Sequence, residues 1–475
     1  MRKLYILVLL AMFCLFSCKK EPDEPLPSVP ANVTIPEDFL GMVHAGNRYN
    51  TDEYQILDEM NAIWLLNDCS WGTVQPTPTT WNFGDADPSN PTGYYKFCKT
   101  AFEKGKKVYA MMGYDASWIH TEVPDPNYVP GSPRRYVSRA QTPLYVAYVK
   151  ESIRHLYQYV GAWGIWNEPD IRPRFWTGTD ADYYYMVCET IKGIRAVEAE
   201  LKAADKLAAN ETIKIIIGAY SPQATPAFIK GLLDNPETRM ADGIAYHPYG
   251  INSVGSSNYY DDFKKLVEPY GFGNKIWLNE LGYPTGGLYH TKVPDPMMPT
   301  EVTKTLTAMA VRGAKAALWY QYKDGSVQDP NDSEDWFGLL NNDYSPKTGA
   351  PAFALWGQHI PGSVYKPGFP KASKIPGGVQ YHYFKGKGDE HCLIIWTDKP
   401  TPRDLTIKLP GTARKCYDTN ISLWQWPTTP LTNNEFPSAA VTDVEESATY
   451  SISGNAKFFI WTNPNLDQPP EISGN

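Results

Sequence analysis

Between about residue 37 and residue 362, short apolar runs alternate with longer amphipathic stretches. The runs are Leu40–His44, Ala62–Leu66, Lys107–Gly113, Gly161–Trp166, Ile213–Gly218, Gly243–Tyr246, Lys275–Asn279 and Ala314–Tyr320. Each reads as a buried strand. The stretches between them carry helical spacing. Val146, Val149, Ile153, Leu156 and Val160 recur at three and four residues, as do Val187, Ile191, Ile194, Val197 and Leu201 behind a cap at Thr179 or Asp180. Eight strand–helix units over this length predict an α/β fold, a (β/α)8 TIM barrel spanning 37–362. A doubly wound open sheet is the alternative, but no Gly-x-Gly-x-x-Gly follows an early strand.

After Pro361 the pattern changes. Pro-Gly pairs recur and helical periodicity stops, while short runs at Val379–Phe384, Cys392–Thr397, Leu405–Leu409 and Ser422–Trp426 read as strands. Thr449–Ser453 and Ala456–Thr462, joined by Gly454-Asn455, read as a hairpin. The prediction is a C-terminal antiparallel β-sandwich over 363–466, then a polar tail at 467–475.

The N-terminus has the pattern of a targeting segment. Arg2 and Lys3 precede an apolar run from Leu4 to Phe16, which is short for a membrane span. The segment Leu15-Phe16-Ser17-Cys18 resembles a bacterial lipobox, so 1–17 is expected to be a lipoprotein signal peptide and Cys18 the lipidated first residue. An ordinary secretory signal containing a cysteine is the alternative. Residues 18–36 then form a polar tether, and the protein is expected in the bacterial cell envelope. It would be held there by its acyl chains, at the outer membrane or cell surface.

Composition narrows the partners. The formal charge is -8, which argues against nucleic acid, since phosphate binding relies on Lys and Arg. Aromatics make up 13% of the chain, which suits stacking on sugar rings but equally suits a large core. No Cys-x-x-Cys pair is present to build a zinc site. Cys392 and Cys416 could bridge in an oxidising envelope or remain buried thiols. No cofactor or metal is expected.

Two carboxylates carry the chemistry. Glu168 ends the fourth apolar run, within Trp166-Asn167-Glu168-Pro169, and Glu280 ends the seventh, within Trp277-Leu278-Asn279-Glu280-Leu281-Gly282. Burying an ionised carboxylate is costly, so a glutamate at the end of a core strand suggests that its charge is used. Barrel enzymes place reacting groups at the C-terminal ends of strands, so the two glutamates are expected to converge. Glycosidic cleavage needs a proton on the leaving oxygen and stabilisation of the cationic sugar, which two carboxylates supply. Glu168 is assigned as acid/base and Glu280 as nucleophile. Taken singly, each could be an ordinary residue at a helix start or just past a strand; the pair is the signal.

These two motifs resemble the fourth- and seventh-strand motifs of clan A retaining glycoside hydrolases. Trp71 through Pro76 with Trp81-Asn82-Phe83, Gly113-Tyr114 through Trp118, His247-Pro248-Tyr249, and Gly338-Leu339-Leu340 with Pro346-Lys347 make the chain similar to glycoside hydrolase family 39. The resemblance implies that Asn167 binds the sugar 2-hydroxyl, Tyr249 orients Glu280, His247 contacts substrate or nucleophile, and Trp319 floors the cleavage subsite. Tyr114, Trp118, Trp176 and Tyr283 are expected at outer subsites, with Phe175, Tyr322 and Trp336 nearby. Arg172 and Arg174 are candidates for a uronic acid carboxylate or are solvated loop residues. One departure stands out. Clan members often carry an arginine where this chain has Leu66, so Glu280 needs support from another group or is less readily ionised. The expected function is retaining hydrolysis of an extracellular oligo- or polysaccharide by double displacement. The rivals are a non-catalytic glycan-binding surface lipoprotein and a transglycosylase.

Overall fold

The computed structural model describes residues 32–47, 51–124, 135–288, 290–420, 440–465 and 468–474. Eight parallel strands close into a barrel in sequence order. They are β2 (Leu40–Val43), β3 (Trp64–Asp68), β4 (Lys107–Met112), β5 (Val160–Ile165), β6 (Ile215–Tyr220), β7 (Gly243–Tyr246), β8 (Ile276–Leu281) and β9 (Ala316–Trp319). β1 (Val33–Thr34) precedes them. All eight expected runs therefore form barrel strands, with ends shifted by a few residues.

The strands separate two packed layers by alternation. Val43, Trp64, Leu66, Tyr109, Met111, Ala162, Ile216, Trp277, Ala316 and Leu318 fill the barrel interior. Their neighbours, including Leu65, Ala110, Trp163, Ile215, Ile217, Ala317 and Trp319, face the surrounding helices. Gly164 has no side chain because Tyr109 fills its space: a Cβ there would lie 2.5 Å from the Tyr109 ring.

The helices follow the predicted spacing. In the helix Asp180–Ala203, Val187, Ile191, Ile194, Val197 and Leu201 are buried, and Thr179 is the cap, accepting from the Asp182 amide at 3.1 Å. Such a cap stabilises a helix by about 1 kcal/mol. In the helix Thr142–Leu156, Tyr145 and Tyr148 share the buried face with Val149 and Ile153. Val160 falls in β5 instead, where the pattern meets the next strand.

The C-terminal region holds two sheets, as expected of a sandwich. The strands are β10 (Val364–Tyr365), β11 (Lys371–Ser373), β12 (Val379–Lys385), β13 (Glu390–Thr397), β14 (Arg403–Lys408), β15 (Thr412–Asp418), β16 (Ala440–Asp443), β17 (Ser447–Ile452), β18 (Lys457–Thr462) and β19 (Glu471–Gly474). The seven-stranded sheet runs β1-β10-β12-β13-β18-β15-β16 and the four-stranded sheet β11-β19-β14-β17. Leu393, Ile395, Leu405, Ile407, Phe459, Trp461 and Ile472 pack between the sheets. On the reverse face, Cys392, Ile394, Phe458 and Ile460 join the core that runs on from the barrel. The sandwich is thus continuous with the barrel through alternate residues of the same strands.

Two boundary expectations need correction. Val33 and Thr34, assigned to the tether, pair with Tyr365 and Val364 at the edge of the larger sheet. Residues 471–474, assigned to the tail, pair with both β11 and β14, with Ile472 buried. Both pieces are too short to show a period; β1 adds to the open edge of the larger sheet, and β19 fills the place between β11 and β14. The run Ser422–Trp426, Cys18 and the leader lie outside the described residues. Cys392 and Cys416 are free and buried. They sit on β13 and β15, which flank β18, and two strand spacings of roughly 4.8 Å exceed disulfide reach. Among the described residues no helix is long and apolar enough to cross a membrane.

Candidate active site

The C-terminal strand ends surround a cavity of about 450 Å3, within the usual size of a small-ligand site. Local backbone departures aim the glutamates into it. Beyond β5 the chain turns through left-handed conformations at Trp166 (φ 65°) and Glu168 (φ 42°). Such conformations cost a β-carbon residue roughly 1–3 kcal/mol and persist where the surroundings enforce them. Here the Glu168 amide donates to the Ala219 carbonyl at 3.0 Å and the Trp166 indole donates to the Phe175 carbonyl at 2.8 Å. Asn167 and Glu168 both reach the cavity as a result. On β8, the pairing with β9 shifts register between Leu278 and Leu281. That irregularity lets Glu280 line the cavity while Leu278 and Leu281 stay in the outer shell.

The carboxylates meet over His247, which follows β7. His247 Nδ1 lies 2.9 Å from Glu168 Oε1 and 3.5 Å from Glu280 Oε2. Tyr249 donates its hydroxyl to Glu280 Oε2 at 3.0 Å. Asn167 Nδ2 donates to the Tyr114 hydroxyl at 3.2 Å. One oxygen of each glutamate and a His247 nitrogen all lie within 4.8 Å of one another.

Burial sets the electrostatics. Desolvation raises the Glu280 carboxyl to about 7, against the charge of His247 and His44 and the hydrogen bond from Tyr249. For His247, desolvation opposes the charged ring, but the Glu280 and Glu168 carboxylates prevail and hold it at about 9. The two acids thus favour the protonated form of His247, whose Nδ1 faces both of them. Asp170, bonded to the Ser221 amide and hydroxyl, is raised to about 6 by burial. Leu66 does line the cavity wall. The basic side chains that act on Glu280 are His247 and His44 instead.

This donor set could close on a divalent cation. His247 Nδ1 already faces Glu168 Oε1 at 2.9 Å, so a cation taking that nitrogen as a ligand would displace any proton on it.

Glu280, raised from 4.5 to about 7, and His247, raised from 6.5 to about 9, each hold a proton in the native state beyond the pH at which an unfolded chain releases it. Groups raised in the folded state contribute stability at low pH that is lost as pH rises through their folded values. Carboxyls held below their usual range are ionised in both states above pH 6 and add nothing to the slope. The melting temperature is therefore expected to fall from pH 6 to pH 9 in calorimetry, and Glu280→Gln to flatten the part near pH 7. A flat profile in the unmodified protein would contradict these shifts.

Of the residues expected at the site, Glu168, Glu280, Asn167, Tyr249 and Tyr114 line the cavity. His247 lies directly beneath the two carboxylates and is fully buried. Trp319 does not floor the cavity. It shares the outward face of β9 with Ala317 and packs between Tyr283 and Phe353, while Tyr320, one residue on, lines the cavity. Tyr283 is also an outer-shell residue, bonded to Ser256 and Thr305. Trp176 is buried beside Trp166 and donates to the Thr179 carbonyl. Trp118 packs on Trp71 and donates to the Gln75 carbonyl. Trp319, Tyr283 and Trp176 are core residues and Trp118 is half-buried against the core, so none of the four is a cavity wall.

Phe175 and Arg174 reach the cavity, Arg174 in an ion pair with Glu334 at 3.3 Å. Arg172 is turned away onto Asp180. Tyr322 is buried against Tyr344, and Trp336 donates to the Asp329 carbonyl. The wall also contains His44, Asp68, Arg135, His290, Tyr320, Glu334 and Phe337. His44, Asp68 and Tyr320 end or follow strands and carried a positional signal. Arg135, His290, Glu334 and Phe337 come from loops without periodicity.

No protein-family profile matches the sequence, and no curated protein matches it. Solved structures do. The chain is similar to a family 39 glycoside hydrolase from the gut symbiont Bacteroides cellulosilyticus WH2, at 18% identity over 90% of this chain and 81% of the other, TM-score 0.63. It is similar to a GH30 endoxylanase from Clostridium papyrosolvens C71, at 12% identity over 92% and 98%, TM-score 0.59. A GH39 β-xylosidase from Caulobacter crescentus gives 12% identity over the same shares, TM-score 0.58. These likenesses span the barrel and the appended sheets and establish the shared architecture.

Proposed function

We propose that the protein is a retaining glycoside hydrolase acting on an oligo- or polysaccharide. One observation carries the reading: two glutamates from the fourth and seventh barrel strands approach within 4.8 Å across one cavity. Carboxyl groups about 5–5.5 Å apart suit double displacement, whereas inversion needs about 6.5–9.5 Å to admit a water. Glu168 gives its proton to the glycosidic oxygen as Glu280 attacks the anomeric carbon, releasing the leaving group and forming a glycosyl ester. Glu168 then takes a proton from water as that water displaces Glu280. Asn167 holds the sugar and Tyr249 orients the nucleophile. The fold shared with families 39 and 30 supports this assignment.

The raised carboxyl of Glu280 and the apolar Leu66 beside it favour one alternative, glycan binding without turnover. Proton NMR of a chromogenic glycoside during hydrolysis separates the readings. Release of the product first as the substrate's own anomer is the expected result. Inversion would remove the double-displacement mechanism. Binding without turnover of any glycan would favour the alternative.

The proposed location is the cell envelope, through lipid on Cys18, supported by the leader sequence alone. Cys18→Ser is expected to move the protein from the membrane to the soluble fraction.

A further inference from the structure

The cavity contains a guanidinium that no carboxylate claims. Arg135 lines the same wall as Glu168 and Glu280. Its Cζ lies 4.1 Å from the centroid of Tyr114 and 5.3 Å from that of Phe175. Those two rings are nearly parallel, at 19°. Tyr114 in turn takes the hydrogen bond from Asn167, the residue before Glu168. Arg135 is therefore fixed two contacts from the acid/base, on an aromatic platform that leaves its planar N–H edge for other partners.

Among the described residues, the neighbouring arginines of this loop cluster are paired with acids. Arg172 pairs with Asp180 at 2.5 Å, Arg174 with Glu334 at 3.3 Å and Arg139 with Asp182 at 3.5 Å. Among the described residues, Arg135 has no carboxylate within 4.0 Å. Asp68 faces it from beyond that distance, and its carboxyl is raised by burial despite the charges of His44 and Arg135. At that range Asp68 makes no ion pair or hydrogen bond with the guanidinium. The remaining acids of the wall, Glu168, Glu280 and Glu334, are bonded to His247, Tyr249, Tyr320 or Arg174.

Resting on the glycosidase reading, we infer that Arg135 forms an anion subsite that selects sugars bearing a carboxylate or sulfate group near the scissile bond. A fixed, aromatic-backed guanidinium matches the two parallel oxygens of such groups. In a cavity otherwise rich in acids, it is a point at which an anionic sugar is attracted rather than repelled.

The test uses matched polysaccharides: a uronic acid polymer with its carboxyl-reduced form, and a sulfated polymer with its desulfated form. At least one anionic member is expected to exceed its neutral counterpart tenfold in kcat/KM, and which pair responds identifies the anion. Arg135→Gln should reduce that preference at least tenfold. Arg135→Lys, which keeps the charge without the fork, should fall between. An unchanged melting temperature for each variant excludes a folding defect. Equal use of both members by the unmodified protein, or a preference unchanged in Arg135→Gln, would overturn the inference. Cleavage confined to neutral glycans would overturn it while leaving the hydrolase reading intact. Should no glycan be cleaved, calorimetric binding of the same pairs decides: anionic preference lost in Arg135→Gln supports the subsite while the hydrolase reading falls, and equal binding ends both.

Discussion

Replacing Glu280 by glutamine is expected to lower kcat by about 10^4-fold, because an amide cannot form the glycosyl ester. The side chain keeps its size and can still accept from Tyr249, so binding should persist. Glu168→Gln is expected to behave differently. Loss of a general acid costs roughly 10^2- to 10^4-fold, but only where the departing group needs a proton. Against an activated aryl glycoside the first step should stay fast and the second become limiting, giving a burst of released phenol. Rapid-mix kinetics on both variants checks this division. If Glu280→Gln retained more than a tenth of the unmodified rate, Glu280 would not be the nucleophile.

The second large effect is on stability. Lys347 and Asp324 are both nearly inaccessible, and Lys347 Nζ reaches the two Asp324 oxygens at 2.7 and 3.0 Å. Nζ also donates to the Trp336 carbonyl at 3.1 Å, while the Gly338 amide donates to Asp324 at 2.9 Å. Burial works against both charges, raising the Asp324 carboxyl and lowering Lys347. Lys347→Met would strand a carboxylate among these groups, and breaking a buried pair in this way costs about 3–5 kcal/mol. The loop held by the pair carries Glu334 and Phe337 into the cavity wall. The expected result is a melting temperature lower by roughly 3–5 °C in scanning calorimetry, accompanied by weaker substrate binding. Lys347→Met combined with Asp324→Leu should recover most of the loss, since no lone charge remains. A single variant as stable as the unmodified protein would show that this pair does not brace the loop.

Buried segments long enough to bear a repeating apolar pattern could be read from the chain. The eight barrel runs, the Thr179 cap and the change of period after Pro361 are of this kind, because burial on both faces of a strand is written directly into its residues. The two glutamates were equally legible, since charge at the end of an apolar run is conspicuous. Sequence failed where direction mattered. Trp319 and Tyr320 are adjacent aromatics, and only the closed sheet decides that the first faces helices and the second the cavity. Trp118, Trp176 and Tyr283 were misplaced for the same reason: an aromatic near a strand end serves core and cleft equally well.

Short strands escaped as well, because β1 and β19 owe their structure to partner strands built by distant residues. The chain by itself determined the barrel, the appended β-rich region and the pair of acids. Tertiary structure alone decided that His247 would sit between those acids, that His44 would join it near Glu280, and that Arg135 would stack on Tyr114 in the same wall, without an ion pair among the described residues. The physical reason is range. Hydrophobic periodicity is a local property of the polymer, whereas a charge is tuned by whatever surrounds it in space, and those neighbours come from loops and strands far apart in sequence.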